Sequence, residues 1–285
     1  MPMPTSASPA SGLAALGPLI NGLSPGCMGA LGGMFVNPTS ELASCLSLPD
    51  AISLFTGGGN SSVVPAFDTY LTKDICGKPP CSAQTLSGTE KAFHQACSDQ
   101  DLAVNNGSNF AALFDKLIDN YAPFRDAACN ANGATNQNCV VETMNSIESA
   151  TKMPLTTQGF IGLLANASQF GQLAQVLAKN NNALCSDCNK AILTTVIKSS
   201  GIPMSQLAQV VNSSPNLGGL FNVTSQTCGA SFVDGSIPTT TKNTSTSGAS
   251  GNARTSANSN SAGVFTVPVF AGAALVVASA SLLFL

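Results

Sequence analysis

Ten cysteines are the residues of this chain with the greatest capacity for chemistry, and a single histidine, His94, accompanies them. Catalytic and metal-binding cysteines usually work beside histidines, whereas structural cysteines pair with one another. An even number of cysteines in a histidine-poor chain indicates a disulfide framework formed in an oxidising compartment. All ten are therefore disulfide candidates: Cys27, Cys45, Cys76, Cys81, Cys97, Cys129, Cys139, Cys185, Cys188 and Cys228.

Two short motifs have the spacing of catalytic sites without the surroundings that catalysis needs. Residues 22–26, GLSPG, match the GxSxG nucleophile elbow, but Pro25 lacks the N–H that an oxyanion hole requires and no α/β sheet is predicted around Ser24. The segment Cys185-Ser-Asp-Cys188 has thioredoxin-like spacing without a βαβ context, which favours a structural cystine. His94 is the only candidate base, and we interpret it as a partly exposed polar residue beside Phe93.

Other kinds of site are equally unsupported by the sequence. One histidine, with cysteines committed to disulfides, leaves no ligand set for zinc or copper. Residues 57–59, GGG, lack the lysine and preceding strand of a phosphate-binding loop. Asp115, Asp119 and Glu142 are assigned to ordinary helix faces, and the absence of tryptophan argues against a glycosidase cleft. We expect no catalytic residue, no cofactor and no metal, and therefore no enzymatic activity.

Charge is scarce along the chain, with 9% charged residues and a net charge of −3. A typical soluble domain has about 25% charged residues. Without a basic cluster the surface offers nothing to a phosphate backbone, so nucleic acid is excluded as a partner. We expect Asn, Ser, Thr and attached glycans to keep the surface soluble.

Apolar residues recur at intervals of three and four, which predicts short helices separated by turns. No segment alternates as a half-buried strand does, so the predicted fold class is all-α, a disulfide-stapled bundle of short helices. The clearest helix follows Ser108 as N-cap, directs Phe114, Leu117 and Ile118 into the core, and is broken by Pro123. Further helices are predicted over Val64 to Ile75, Leu86 to Cys97, Phe124 to Cys129, Cys139 to Ala150, Gly159 to Ala165, Phe170 to Ala178 and Lys190 to Ile197, with one more opened by Pro203.

The cysteines repeat a pattern of helix, Cys, short polar turn, Cys and helix. This pattern predicts three local cystines, Cys76–Cys81, Cys129–Cys139 and Cys185–Cys188. The remaining cysteines then pair among themselves, and we expect Cys27–Cys45 and, by elimination, Cys97–Cys228.

The last twenty-two residues, 264–285, are uncharged and long enough to cross a bilayer core of roughly 30 Å. No Lys or Arg follows them, as one usually does on the cytoplasmic side of a retained helix. Small residues, a polar spacer and an apolar tail form a glycosylphosphatidylinositol (GPI) attachment signal, with Gly251, Ser256 and Asn260 as candidate attachment sites. The alternative is a tail-anchored or single-pass membrane protein, which the cysteine content disfavours.

Ahead of this tail, 13 of the 28 residues from 236 to 263 are Ser or Thr, which predicts an unfolded, O-glycosylated stalk. We therefore expect a poorly ordered segment over residues 1–24, an ectodomain over 25–238, a stalk over 239–263 and a removed tail over 264–285. Residues 1–23 make a poor signal peptide, so we expect the signal to lie upstream of this sequence. The candidate N-glycosylation sites are Asn60, Asn106, Asn166, Asn212, Asn222 and Asn243.

Four segments carry a family resemblance: Tyr121 to Cys129 (YAPFRDAAC), Asn138 to Glu142 (NCVVE), Cys185 to Leu193 (CSDCNKAIL) and Cys228 to Gly235 (CGASFVDG). In these segments and in its order of cysteines, the chain from about Cys27 to Pro238 resembles a family of fungal secreted, cysteine-rich, GPI-anchored surface proteins that form a domain of unknown function. The resemblance implies a location and a compartment, and no activity or functional residue.

The sequence thus predicts a cell-surface or cell-wall protein, held in the outer leaflet of the plasma membrane by a lipid anchor, with a structural or interaction role. Its expected partners are the membrane, through the anchor, and cell-wall polysaccharide or another surface protein. One rival function is the binding of lipid or another apolar ligand between the helices. The other is an enzyme, which would need several of the scarce ionisable residues to converge in one cleft.

Overall fold

The computed structural model describes residues 22–36, 40–56, 60–102, 110–159, 184–199 and 224–246. Over these ranges the chain is mostly helical, which confirms the predicted all-α class. The helices are α1 (Pro25–Val36), α2 (Glu41–Cys45), α3 (Leu48–Thr56), α4 (Val64–Thr69) with a π-helix (Tyr70–Ile75), α5 (Ala83–Ala96), α6 (Asp99–Leu102), α7 (Phe110–Asp119), α8 (Tyr121–Ala128), α9 (Cys139–Thr151), α10 (Asp187–Ser199) and a 3₁₀ turn (Ala230–Val233). Two short strands, β1 (Asn130–Asn132) and β2 (Thr241–Asn243), form an antiparallel pair.

Local sequence signals explain most of the helix boundaries. The helix predicted over Val64 to Ile75 is confirmed as α4 running directly into the π-helix. Pro79 and Pro80 separate it from α5, which starts three residues earlier than predicted because the Ser82 side chain accepts a hydrogen bond from the Thr85 N–H. The Asn138 side chain caps α9 in the same way, through the Val140 N–H.

The break between α7 and α8 lies at Asn120, ahead of the residue predicted to cause it. Pro123 is the third residue of α8, where a backbone N–H has no partner within the helix, so proline is tolerated there. The predicted core face of α7 is confirmed, since Phe114, Leu117 and Ile118 are buried.

One main hydrophobic core joins all the helices from α1 to α9 with α10, and eight of the ten cysteines belong to it. Within this core α1 and α7 pack on α5, where the rings of Phe93 and Phe114 meet edge to face, 5.4 Å apart. The helix α10 packs across α8 and α9. A second, small cluster forms where Ile147 and Leu184 meet, with Cys185 and Cys228 packed against them.

The two-stranded sheet corrects both the prediction that the chain has no strand and the predicted start of the stalk. Residues 239–246 were assigned to an unfolded stalk, yet β2 pairs with β1 in the register Asn130 to Asn243 and Asn132 to Thr241. Gly133 permits the close approach, because a Cβ at this position would lie 2.7 Å from the Thr240 carbonyl oxygen. The folded domain therefore extends to Thr246.

Several predictions concern residues outside the described ranges. They include residues 1–21 of the N-terminal segment, the Ser108 cap, residues 160–165 of the helix predicted from Gly159, the helix over Phe170 to Ala178, the helix that Pro203 opens, and the apolar run 264–285. No helix within the described ranges has the length and apolar character needed to cross a bilayer.

Candidate functional site: the cystine framework and the C-terminal strap

All ten cysteines are paired, as the sequence predicts, but every predicted pairing is wrong. The five cystines are Cys27–Cys97, Cys45–Cys81, Cys76–Cys129, Cys139–Cys188 and Cys185–Cys228. None of them joins cysteines across one of the short polar turns. The two cysteines that flank each short turn therefore belong to two different cystines.

The contacts of the turn between Cys76 and Cys81 explain why these two cysteines bond to different partners. Buried Arg125 of α8 donates through Nη2 to the carbonyl oxygens of Ile75 and Lys78, at 3.1 and 2.5 Å, and so holds the start of the turn against α8. The Cys81 N–H donates to the Tyr121 hydroxyl at 3.1 Å. These contacts fix the turn on α8, with Cys76 bonded to the cysteine that ends α8 and Cys81 bonded to Cys45 of α2.

The observed connectivity closes long loops, with sequence separations of 70, 36, 53, 49 and 43 residues. In the chain-entropy treatment each loop of this size removes about 4 kcal/mol of entropy from the unfolded state, taken alone. The predicted local pairs would have contributed only about 2 kcal/mol each by the same relation. The observed loops therefore constrain the unfolded chain more than the three predicted local pairs would.

The cystines form two covalent groups. Three overlap between Cys27 and Cys129, and two overlap between Cys139 and Cys228. The groups are joined along the chain by residues 130–138, which contain β1. They also meet in space, because α10 of the second group packs on α8 of the first.

Residues 240–246, here called the C-terminal strap, fasten the chain to the Cys76–Cys129 cystine. The N–H and hydroxyl of Thr244 both donate to the Cys129 carbonyl oxygen, each at 2.9 Å. The N–H and hydroxyl of Thr246 donate to the Cys76 carbonyl oxygen, at 2.9 and 2.5 Å. Thr240 adds a hydrogen bond to Asp187 at the start of α10, at 2.6 Å. The strap thus contacts both covalent groups just before the chain continues toward the predicted anchor.

Ser24 of the GLSPG segment has a structural role. Its backbone N–H and its hydroxyl donate to the two carboxylate oxygens of Asp101, at 2.6 and 2.8 Å, and its Oγ accepts from the Cys27 N–H. Asp101 is buried and also accepts from the N–H and hydroxyl of Ser98, at 2.8 Å each. These hydrogen bonds, led by that from the Ser24 N–H, lower the pKa of Asp101 to about 2. The carboxylate ties the start of α1 to the start of α6.

His94 is half-exposed, as predicted, but it has a partner that the sequence analysis missed. Its Nε2 lies 2.5 Å from Oδ1 of Asp115 on α7, and the Asp115 side chain is only 8% exposed. This hydrogen bond raises the pKa of His94, against a smaller opposing effect of burial. Asp115 therefore does not lie on an ordinary exposed face, and the pair links α5 to α7.

The remaining predicted site residues are dispersed. Glu142 accepts a hydrogen bond from the Asn132 amide at 3.0 Å, and Oε2 of Glu142 lies 3.5 Å from Sγ of Cys188. Within the described ranges, no group of three His, Cys, Asp or Glu side chains could hold a metal ion. Residues 57–59 and the three candidate anchor sites, Gly251, Ser256 and Asn260, lie outside those ranges.

Two of the six N-glycosylation candidates can be located. Asn60 is exposed directly ahead of α4, and Asn243 is exposed in β2, where its amide donates to the Asp126 carbonyl oxygen at 3.0 Å. The described ranges do not include Asn106, Asn166, Asn212 and Asn222.

Comparisons with models of protein families, with curated proteins and with solved structures find no match to this chain. The resemblance to fungal GPI-anchored surface proteins therefore stays a prediction from the sequence.

Proposed function

We propose that this chain is the ectodomain of a GPI-anchored protein of the cell surface or cell wall, with a structural or interaction role and no catalytic activity. The observation that carries the proposal is the pairing of all ten cysteines into five cystines. Cytosolic thiols are kept reduced, so a fold that depends on five cystines suits an oxidising compartment. Its partners are the membrane, through the anchor, and polysaccharide or another protein at the surface.

The strap supports attachment through the C-terminal end. An anchored protein experiences any pull on its anchor at the residue where the folded domain meets the stalk. Thr246 is the last residue that the structure describes ahead of the predicted stalk, and four strap hydrogen bonds end on the carbonyl oxygens of one cystine, Cys76–Cys129. A load applied at the C-terminus would therefore pass directly to a covalent cross-link of the core.

The roles of the ionisable residues support the non-enzymatic part of the proposal. Ser24 and Asp101 join two helix starts, and His94 and Asp115 join two helices. General acid–base chemistry needs a titratable group within hydrogen-bond reach of a substrate. In this fold the Asp101 carboxylate and the His94–Asp115 pair stabilise the packing of the helices that carry them.

The test is expression of the whole chain behind a functional secretion signal in a fungal host. We expect phosphatidylinositol-specific phospholipase C to release the protein from membranes, and the mature protein to lack residues 264–285. A matched variant, Leu275→Lys with Val277→Lys, interrupts the apolar run without changing the ectodomain. This variant should not receive the anchor, because charged residues prevent recognition of the tail.

Two results would contradict the proposal. One is recovery of the peptide 264–285 from the mature protein by mass spectrometry, which would identify a retained membrane helix. The other is a secreted protein whose cysteines are labelled as free thiols.

A further inference from the structure

The Cys185–Cys228 cystine differs from the other four in its exposure. Both of its residues are partly exposed, whereas the other eight cysteines are buried in the main core. Exchange between thiols and disulfides requires a thiolate to reach a sulfur atom along the S–S axis, so access largely decides which cystine reacts first. An external thiol therefore meets Cys185–Cys228 before any other cross-link of this domain.

Cys185 also lies three residues from a cysteine of a second cystine. Cys188 is in the first turn of α10 and is bonded to Cys139. Ser186 caps this helix, since its Oγ accepts from the Asn189 N–H and its carbonyl oxygen accepts from the Lys190 N–H. Cys185 thus precedes the cap, and a Cys-x-x-Cys pair at a helix start is the arrangement in which thioredoxin-type proteins close a disulfide.

We propose that the segment Cys185-Ser-Asp-Cys188 is a thiol–disulfide exchange site, at which an external dithiol converts the two overlapping cystines into a local Cys185–Cys188 cystine and releases Cys139 and Cys228 as thiols. The proposal depends on the two cystines alone and is independent of the anchor.

The chemistry balances in three steps. One thiolate of the dithiol attacks Sγ of Cys228, forms a mixed disulfide and displaces the Cys185 thiolate. The Cys185 thiolate attacks Sγ of Cys188, forms the Cys185–Cys188 bond and displaces the Cys139 thiolate, which takes a proton from water. The second thiol of the external dithiol then displaces Cys228 as a thiol, so one dithiol is oxidised to a disulfide and one protein disulfide is reduced.

The geometry favours Cys139 as the leaving group. Cys139 is the first residue of α9, a 13-residue helix whose N-terminus stabilises a thiolate. Cys188 is also near a helix N-terminus, but a thiolate on Cys188 would lie 3.5 Å from the Glu142 carboxylate oxygen. Attack on Cys188 keeps that sulfur bonded and releases the thiolate at Cys139 instead.

The exchange would change the cross-linking of the C-terminal half of the domain. The covalent links from α10 to α9 and from Cys185 to Cys228 would both be lost, and a short local loop would replace them. Noncovalent contacts would then hold these elements in place: the Lys190–Asp234 ion pair, 3.0 Å, joins α10 to the segment after Cys228, and the strand pair joins the strap to β1. The three cystines between Cys27 and Cys129 would be unaffected.

A single substitution tests the exchange without any reductant. In the full chain, Cys228→Ser leaves Cys185 without its partner, and the purified protein is labelled with N-ethylmaleimide and examined by tandem mass spectrometry. We expect more label on Cys139 than on Cys185. The matched control is Cys27→Ser, whose unpaired Cys97 has no cysteine three residues away and should keep the label itself. More label on Cys185 than on Cys139, or equal scrambling in the control, would overturn the proposal.

The unmodified protein gives a second measurement should the substituted chain fail to fold. The oxidised full-length protein is treated briefly with increasing dithiothreitol and then labelled. The first labelled molecules should carry label on Cys139 and Cys228, with Cys185 joined to Cys188. First label on Cys185 and Cys228 with Cys139–Cys188 intact, or on any cystine of the other group, would contradict the inference.

Discussion

Removal of the Cys76–Cys129 cystine gives the sharpest test of the framework. We expect Cys76→Ala with Cys129→Ala to remain folded, with four cystines and no free thiol, and to lose several kcal/mol of stability. The cross-link closes a loop of 53 residues, which corresponds to about 4 kcal/mol of chain entropy at 25 °C. The actual loss should be nearer 3 kcal/mol, since the Cys27–Cys97 and Cys45–Cys81 loops already restrict part of the same chain.

The assay compares this variant with Cys76→Ala plus Cys81→Ala, which removes two cysteines that are neighbours in sequence. By the observed connectivity the control leaves Cys45 and Cys129 unpaired, so it should contain two reactive thiols in denaturant. Urea unfolding of both proteins, with thiols counted by a chromogenic disulfide, provides the two readouts.

Two outcomes would refute the reasoning. A control without free thiols would mean that Cys76 and Cys81 are bonded to each other. A loss below about 1 kcal/mol in the first variant would mean that this cross-link does not constrain the unfolded chain as its loop length requires.

Three further predictions concern hydrogen bonds of the same domain. Asp101→Asn should lose about 2 kcal/mol at neutral pH, because charge-assisted bonds are replaced by neutral ones. A carboxyl with its pKa lowered to about 2 stabilises the fold above its ordinary value of 3.8, so this contribution disappears as the pH falls toward 2, and urea titrations of both proteins should converge there. His94→Gln should lower the free energy of unfolding by up to about 1 kcal/mol near pH 5 and by nothing measurable near pH 9. The reason is that a histidine whose pKa is raised by folding stabilises the fold only at pH values where it is protonated. Equal losses at both pH values, or a loss when Asp115 is already replaced by Asn, would contradict the pairing. Thr244→Val with Thr246→Val should speed amide hydrogen exchange of the strap by about tenfold per lost hydroxyl hydrogen bond, while the free energy of global unfolding changes little. An unchanged exchange rate would show that the backbone hydrogen bonds alone hold the strap.

The helices could be predicted from sequence because their boundaries depend on neighbouring residues. The three- and four-residue spacing of Phe114, Leu117 and Ile118 identified a buried face. Ser82 is a further local signal, because a serine ahead of a helical segment is a favoured N-cap, and it explains why α5 begins at Ala83.

The cystine pairing could not be predicted, because it depends on how helices face one another. Proximity along the chain favoured Cys76–Cys81, yet Arg125, about fifty residues later, holds the turn through the Ile75 and Lys78 carbonyl oxygens. The partner of His94 was missed for a similar reason. Asp115 lies next to His94 only because α5 packs against α7, and the sequence does not show that packing.

The strap was missed because its residues carry no strand pattern. Thr, Lys and Asn do not alternate apolar with polar side chains, and the segment is bound through hydrogen bonds to backbone carbonyl oxygens of Cys76 and Cys129. Such hydrogen bonds depend on where the acceptor carbonyl oxygens lie in the fold and not on the hydrophobicity of the segment that donates to them. Composition correctly described a polar, Ser/Thr-rich sequence but not that its residues 240–246 are bound to the domain.

The two covalent groups have a consequence for the resistance of the domain to proteolysis. Any cut between Cys27 and Cys129, or between Cys139 and Cys228, falls inside at least one cystine loop, so both pieces stay covalently attached. Residues 130–138 are the exception, since no cystine spans them, and their turn at 133–136 is exposed. A nick there would leave the two halves joined only by noncovalent packing and by β1–β2, so the half with three cystines could separate from the half with two.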